Sequence, residues 1–201
     1  PGLLGDEGYR TAAISRNANS SMGFDRGFDE FTWISASTIF DVVPYRTLLK
    51  YALNIHRHSA GFSTNTAKHA TPFLINDMAK RWMGGVESQS NPFFLYLHYN
   101  EPHRPYYPPK PYLDEYTDDI AMSPSEAAEF ALHVHENLDE LVANGLDFTD
   151  DEWDALIAMY DAEIKYTDEC VGRLFDYVQN LDGETVFIVT ADHGELFGER
   201  G

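Results

Sequence analysis

Asp192-His193-Gly194 sets a carboxylate beside an imidazole just after the apolar run Thr185 to Thr190. An oxygen donor next to a nitrogen donor suits one divalent cation, and calcium, magnesium, manganese and zinc all accept such a pair. Gly194 allows the backbone to bend sharply behind them. Two ligands do not complete a site, so the remainder must come from elsewhere. The competing reading is that Asp192 caps a following helix and His193 is a surface residue, since short Asp-His pairs are common chance matches.

A second group of polar residues follows the run Pro92 to Tyr99: Asn100, Glu101, His103 and Arg104. Pro102 and Pro105 bracket His103 and stiffen its loop. A histidine held rigidly there can donate to a substrate oxyanion or act as a general acid. The alternative is an imidazole packed among Tyr99, Tyr106 and Tyr107. A third group, Arg16, Asn17 and Asn19, follows Ser15 and offers anion-binding donors. His56, His58, His69, His133 and His135 receive no role; the last two are two residues apart on a helix and do not share a face. Cys170, the single cysteine, excludes an internal disulfide and reads as a packing residue.

The elements that must position these groups can be read from periodicity. Tyr9 to Ser15, Pro92 to Tyr99 and Thr185 to Thr190 are short and nearly continuously apolar, as expected of central strands in a parallel sheet covered on both faces. Thr66 to Met83 carries helical spacing, with Pro72 delaying its start. Asp151 to Asn180 is the clearest helix; its stripe holds Trp153, Leu156, Ile157, Tyr160, Ile164, Val171, Leu174, Phe175 and Val178. Acids at its beginning complement the helix dipole. Glu126 to Val142 reads as a more acidic helix, and Glu101 to Asp119, with five prolines and four tyrosines, as a loop. The order predicts an α/β fold, a mostly parallel central sheet with helices on both faces, incomplete in this chain. Ligands bind such sheets beyond the carboxyl ends of the strands, where all three polar groups fall.

Composition narrows the partners. Thirty-three acidic against 14 basic residues leave a net charge of −19. That field repels nucleic acid and anionic membrane surfaces. No apolar run has the length of a membrane span. Only five lysines and acids dispersed along the chain suit a protein kept soluble in high salt, which predicts a halophilic source, with an acidic mesophilic protein as the other reading, and favours a soluble, cytoplasmic location. The oligomeric state is not encoded in any pattern found.

Taken in order, the motifs resemble the sulfatase family of the alkaline phosphatase superfamily over nearly the whole chain. Gly8-Tyr9-Arg10-Thr11-Ala12 with Gly23-Phe24-Asp25-Arg26-Gly27-Phe28-Asp29 is similar to the region around that family's first active-site basic residues. Pro92 to Leu97 leading to Pro102-His103-Arg104-Pro105 resembles its second site strand. Tyr160 to Ile164, Asp168, Val171 to Leu174 and Val189 to Glu195 resemble its helix and metal-binding strand end. The resemblance implies that residues 1–201 are part of one sulfatase-like catalytic domain, truncated at both ends. It also implies that Asp192 and His193 are half of a divalent-cation site, usually calcium, that His103 contacts the sulfate group or the leaving oxygen, and that the substrate is a small sulfate ester. His193 stands where many sulfatases have Asn, as in the superfamily's phosphate and phosphonate ester hydrolases. Arg16 aligns with a family lysine and supplies its charge toward substrate, whereas Ala18 stands in place of a histidine. The nucleophile motif, expected to yield a formylglycine, and the paired aspartates completing the metal site are absent, so this fragment alone is expected to be inactive. A non-catalytic domain that keeps the fold is the alternative of a different class. Asp161 and Asp168 read as solvated helix acids.

Overall fold

The computed structural model describes residues 1–16, 23–59, 62–87 and 91–199. Its elements, in chain order, are α1 (Gly2–Asp6), β1 (Arg10–Ser15), β2 (Glu30–Trp33), α2 (Ile39–Val42), α3 (Tyr45–Leu53) and α4 (Ile55–His58). A 3-10 turn (Thr66–Lys68), α5 (Pro72–Glu87), β3 (Phe93–His98), α6 (Lys110–Glu115), α7 (Pro124–Glu136), α8 (Leu138–Asn144) and α9 (Asp150–Val178) follow. The chain divides into two compact units. The first comprises Pro1–Asn54, Thr71–Asn100 and Cys170–Thr185, and the second Ile55–Ala70, Glu101–Glu169 and Val186–Gly201.

The first unit holds a three-stranded parallel sheet in the order β2-β1-β3, the α/β architecture expected. β1 is central because its residues are small or apolar enough to be covered on both faces: Thr11 through Ser15 are all buried. Burying Ile14 alone contributes about 2 kcal/mol of hydrophobic stabilisation. α5 packs on β1 and β3. Trp82 of α5 meets Phe93 edge-on at 5.6 Å between ring centroids.

The Gly23–Asp29 motif serves as a brace for β1. The Asp29 carboxylate accepts the Thr11 N–H at 2.8 Å and the Thr11 hydroxyl at 3.0 Å, and Thr11 O accepts the Asp29 N–H at 3.0 Å. The Thr11 N–H, then its hydroxyl, hold the Asp29 carboxyl below its ordinary pKa. Gly27 has φ +85°, and an added Cβ would lie 3.0 Å from Gly2 N, so the motif needs glycine there. Phe28 stacks on Phe94 at 6.1 Å.

α5 is fastened twice within this unit. Asp77 accepts hydrogen bonds from Lys50 and Thr47 of α3 and from Arg81 one turn along α5. Asn76 donates to Cys170 O at 2.6 Å and accepts from the Tyr99 hydroxyl. Cys170 is buried, the packing role read from its sequence neighbourhood.

The second unit has a core of its own, built from Tyr106, Leu113, Ala131, Leu132, Leu156 and Met159 among others. α7 begins with a capping box in which Ser123 and Glu126 satisfy each other's backbone N–H groups, with Pro124 at the first helical position. Thr149 and Glu152 do the same at α9.

Several expectations need correcting. Thr185 to Thr190 forms no ladder among the described residues, and Val186, Ile188 and Val189 are exposed. A strand's stability comes from its neighbours, and β-branched composition alone does not supply them. The region Glu101 to Asp119 contains α6, which starts after Pro109 with Pro111 in its first turn. Asn137 interrupts the acidic helix, separating α7 from α8. On α9 the buried residues are Ala155, Leu156, Ala158, Met159, Ala162, Glu163, Tyr166, Cys170, Leu174 and Val178, so Leu156, Leu174 and Val178 of the expected stripe are buried whereas Ile157, Ile164 and Phe175 are exposed.

Candidate active site

Each expected site residue can be placed by its own element. Arg16 directly follows β1 in the first unit; its N–H bonds His98 O at 3.3 Å, and its Nη1 lies 3.5 Å from Ile34 O. His103, Asp192 and His193 belong to the second unit. Asn17, Ala18 and Asn19 lie outside the described residues.

Asp192 and His193 make a local, self-oriented pair. The His193 N–H donates to Asp192 Oδ1 at 3.1 Å, and His193 Nδ1 lies 2.7 Å from Gly194 O. A carbonyl oxygen can only accept, so Nδ1 carries the proton of this bond, and the neutral ring presents its lone pair on Nε2. Nε2 is 3.9 Å from Asp192 Oδ2. Metal–ligand distances of about 2.0–2.6 Å allow one cation to touch both atoms at that separation. The donor chemistry therefore fits a divalent cation, although among the described residues no group of three or more His, Cys, Asp or Glu side chains completes a site. The Gly194 carbonyl, and then the Asp192 carboxylate, raise the His193 pKa above its ordinary value. Gly194 thus contributes its carbonyl.

His103 is exposed, on the loop between Asn100 and Tyr107. Its Nδ1 lies 2.8 Å from Arg104 O and by the same reasoning donates, which leaves Nε2 directed away from the backbone.

Two tyrosines tie the His103 loop to the Asp192 segment. Phe197, five residues past Asp192, packs on Tyr106 at 5.9 Å and on Tyr160 of α9 at 5.2 Å, and the two tyrosines meet edge-on at 5.4 Å. Burial, then the negative charge of Glu195, raises the pKa of both phenols; at Tyr106 the Arg104 guanidinium opposes the shift. Arg104 and Glu195 thus act on one ring, and both phenols remain hydroxyl donors at neutral pH. Gly198 closes the arrangement with φ +91° against the Trp153 ring.

Sequence reasoning missed two residues here. His135 of α7 is half-buried, its Nδ1 has no hydrogen-bond partner, and burial, then Arg104 and His103, lowers its pKa. Testing His133 and His135 only against each other hid this neighbourhood. Glu163 is 3 % exposed on the buried line of α9, and its Oε1 accepts the Tyr107 N–H at 3.1 Å. Its signal was a carboxylate at i+4 from Met159 and i−3 from Tyr166. By contrast, His58 is a core residue bonded to the Tyr166 hydroxyl, and Asp161 and Asp168 are exposed helix acids.

A three-stranded parallel sheet with helix α5 packed on it makes the first unit an α/β domain. The family model described as Sulfatase matches residues 1–201, and the chain belongs to the sulfatase family. It is 27% identical over 130 residues to a sulfatase of Formosa agariphila, covering 57% of this chain and 24% of that protein. Over 127 residues it is 32% identical to the multifunctional alkaline phosphatase superfamily protein PehA of Trinickia caryophylli, with 54% and 24% covered. Over 137 residues it is 29% identical to the choline-sulfatase of Rhizobium meliloti, with 64% and 27% covered. The chain thus spans about a quarter of the length of these relatives. Among the described residues no helix is long and apolar enough to cross a membrane.

Proposed function

We propose that this chain is part of the catalytic domain of a metal-dependent sulfuric ester hydrolase acting on small sulfate esters. The observation that carries the reading is the meeting of the His103 loop and the Asp192–Phe197 segment around Tyr106 and Tyr160. Asp192 and His193 would hold a divalent cation, calcium by resemblance, with manganese, magnesium or zinc compatible with the same donors. When bound, that cation supplies charge stabilisation at the ester oxygens. His103, oriented by its Nδ1 contact to Arg104 O, presents Nε2 to the sulfate or the leaving oxygen and in its protonated form delivers a proton there. Arg16 adds positive charge toward the anionic substrate. The formylglycine nucleophile and the remaining metal ligands are assigned to the rest of the protein.

Hydrolysis of phosphate or phosphonate esters is the second reading. His193 in the place of an asparagine favours it, as does the likeness to a multifunctional alkaline phosphatase superfamily protein.

The test is hydrolysis of an aryl sulfate against the matched aryl phosphate by the full-length protein in high salt, with and without calcium or manganese. Metal-dependent sulfate turnover is expected, and His103→Ala should lower kcat by about 10²–10⁴-fold. Preference for the phosphate moves the chain to the second reading. Cleavage of neither ester, with folding and metal content verified, leaves a non-catalytic domain. Wild-type turnover by His103→Ala leaves that residue an exposed loop group with only its local contact to Arg104 O.

A further inference from the structure

Glu163 is the most deeply buried acid among the described residues, and neither metal binding nor proton delivery uses it. Its surroundings are otherwise the apolar line of α9, with Met159 and Tyr166 fully buried on either side. One carboxyl oxygen is engaged: Oε1 accepts the backbone N–H of Tyr107. The other, Oε2, is buried without a hydrogen-bond partner. Tyr107 closes the loop that carries His103, and Glu101, whose charge acts directly on Glu163, opens it. The Tyr107 end of the loop is therefore held by this side chain.

We propose that Glu163 is a positioning residue for His103, clamping the loop 101–107 to α9 through the Tyr107 N–H. The proposal rests on the reading of His103 as a group that acts on substrate. The Tyr107 side chain has separate anchors, since its hydroxyl donates to Glu129 at 2.9 Å and the Lys68 ammonium sits 4.8 Å from its ring centroid. Only the backbone at this corner depends on Glu163.

A buried acid next to Glu101 works best uncharged. Burial, then the Glu101 charge, pushes the Glu163 carboxyl well above the usual range, and the single Tyr107 N–H opposes this only in part. The neutral acid keeps a carbonyl oxygen for the Tyr107 N–H and adds no second negative charge beside Glu101. Glutamine reproduces the acceptor without the proton; leucine fills a similar volume and removes it.

The experiment compares wild type, Glu163→Gln and Glu163→Leu in the full-length protein. It reads kcat and KM for an aryl sulfate and hydrogen exchange of the Tyr107 amide. Glu163→Gln should stay within about threefold of wild type in kcat with the amide still protected. Glu163→Leu should lose about 10–100-fold in kcat with KM little changed, because a displaced catalytic group costs turnover more than binding. Its Tyr107 amide should exchange faster while the amides of α9 stay protected. Infrared spectroscopy of the wild type at neutral pH should show a protonated carboxyl band that Glu163→Gln removes. An active wild type with an unchanged Glu163→Leu overturns the proposal, as does a Glu163→Gln variant as impaired as Glu163→Leu. If Glu163→Leu does not fold, Glu163→Gln decides alone, and loss of its turnover or of Tyr107 protection is fatal. A wild type that cleaves no ester, its Tyr107 amide still protected, refutes instead the reading of His103 on which the proposal stands.

Discussion

β1 and the run Thr185–Thr190 carry the same expectation of a buried strand and are opposite in structure. Both are six residues long, carry an apolar centre and are followed by polar groups. Ile14 is 4 % exposed at the centre of a parallel sheet, whereas Ile188 is 81 % exposed with no ladder. The difference lies outside the two segments. β1 has a strand on each side, α5 packed on it and the Asp29 carboxylate bonded to Thr11. The run has β-branched residues and, among the described residues, no neighbouring strand. Pairing makes a strand; composition only permits one.

The sharpest way to break the comparison is to place the same charge in both segments. Ile14→Asp should destabilise the folded chain by about 3 kcal/mol or more, since it replaces buried apolar surface with a carboxyl that has no designed partner. Ile188→Asp should stay within about 0.5 kcal/mol of wild type. Urea denaturation of the two variants measures both. Equal losses would mean that the run is paired and buried in solution.

The same contrast decides what could be read in advance. β1, β3, α5 and α9 were legible because their apolar residues lie in unbroken runs or at helical spacing. β2 was not, since Glu30–Trp33 is four residues of mixed polarity whose strand character comes from its ladder to β1. The helical break at Asn137 depends on one side chain that folds back onto His133 O, which periodicity does not register. In the site, Asp192 and His193 were legible because they are adjacent, but the choice of His193 Nε2 as the free donor comes from the Gly194 carbonyl. Glu163 and Tyr107 are 56 residues apart, and no local pattern connects them. The loop 101–107 was recognisable as rigid, but what holds it was not.

The polar groups after the unladdered run give the next test. If Asp192 and His193 form half of a cation site, His193→Ala should weaken divalent-cation binding by the full-length protein at least about tenfold, since loss even of a ligand's supporting partner costs that much. Titration calorimetry with calcium or manganese reads the change directly. Excess metal should restore part of the lost ester hydrolysis. Unchanged affinity would remove His193 from the ligands and show that its bond to Gly194 is only a local turn contact.

The smallest expected effect concerns the cover over β1. Burial disfavours charge on Asp77, but hydrogen bonds from Lys50, Thr47 and Arg81 outweigh it and hold its carboxyl at about 2. A folded-state pKa below the unfolded value of 3.8 gives stability that is present above pH 4 and is lost as the pH falls toward 2. Lys50 and Arg81 are partly in solvent, so screening reduces the contribution to about 1 kcal/mol. Asp77→Asn should therefore cost about 1 kcal/mol at pH 7 and almost nothing near pH 2, measured as a shift in the urea midpoint at each pH. The loss should be felt first where α3 and α5 meet, as faster amide exchange in α5, with exchange in the Thr185–Thr190 run unchanged because nothing there depends on that ion pair. A pH-independent cost would assign Asp77 a packing role and separate the stability of α5 from its charge.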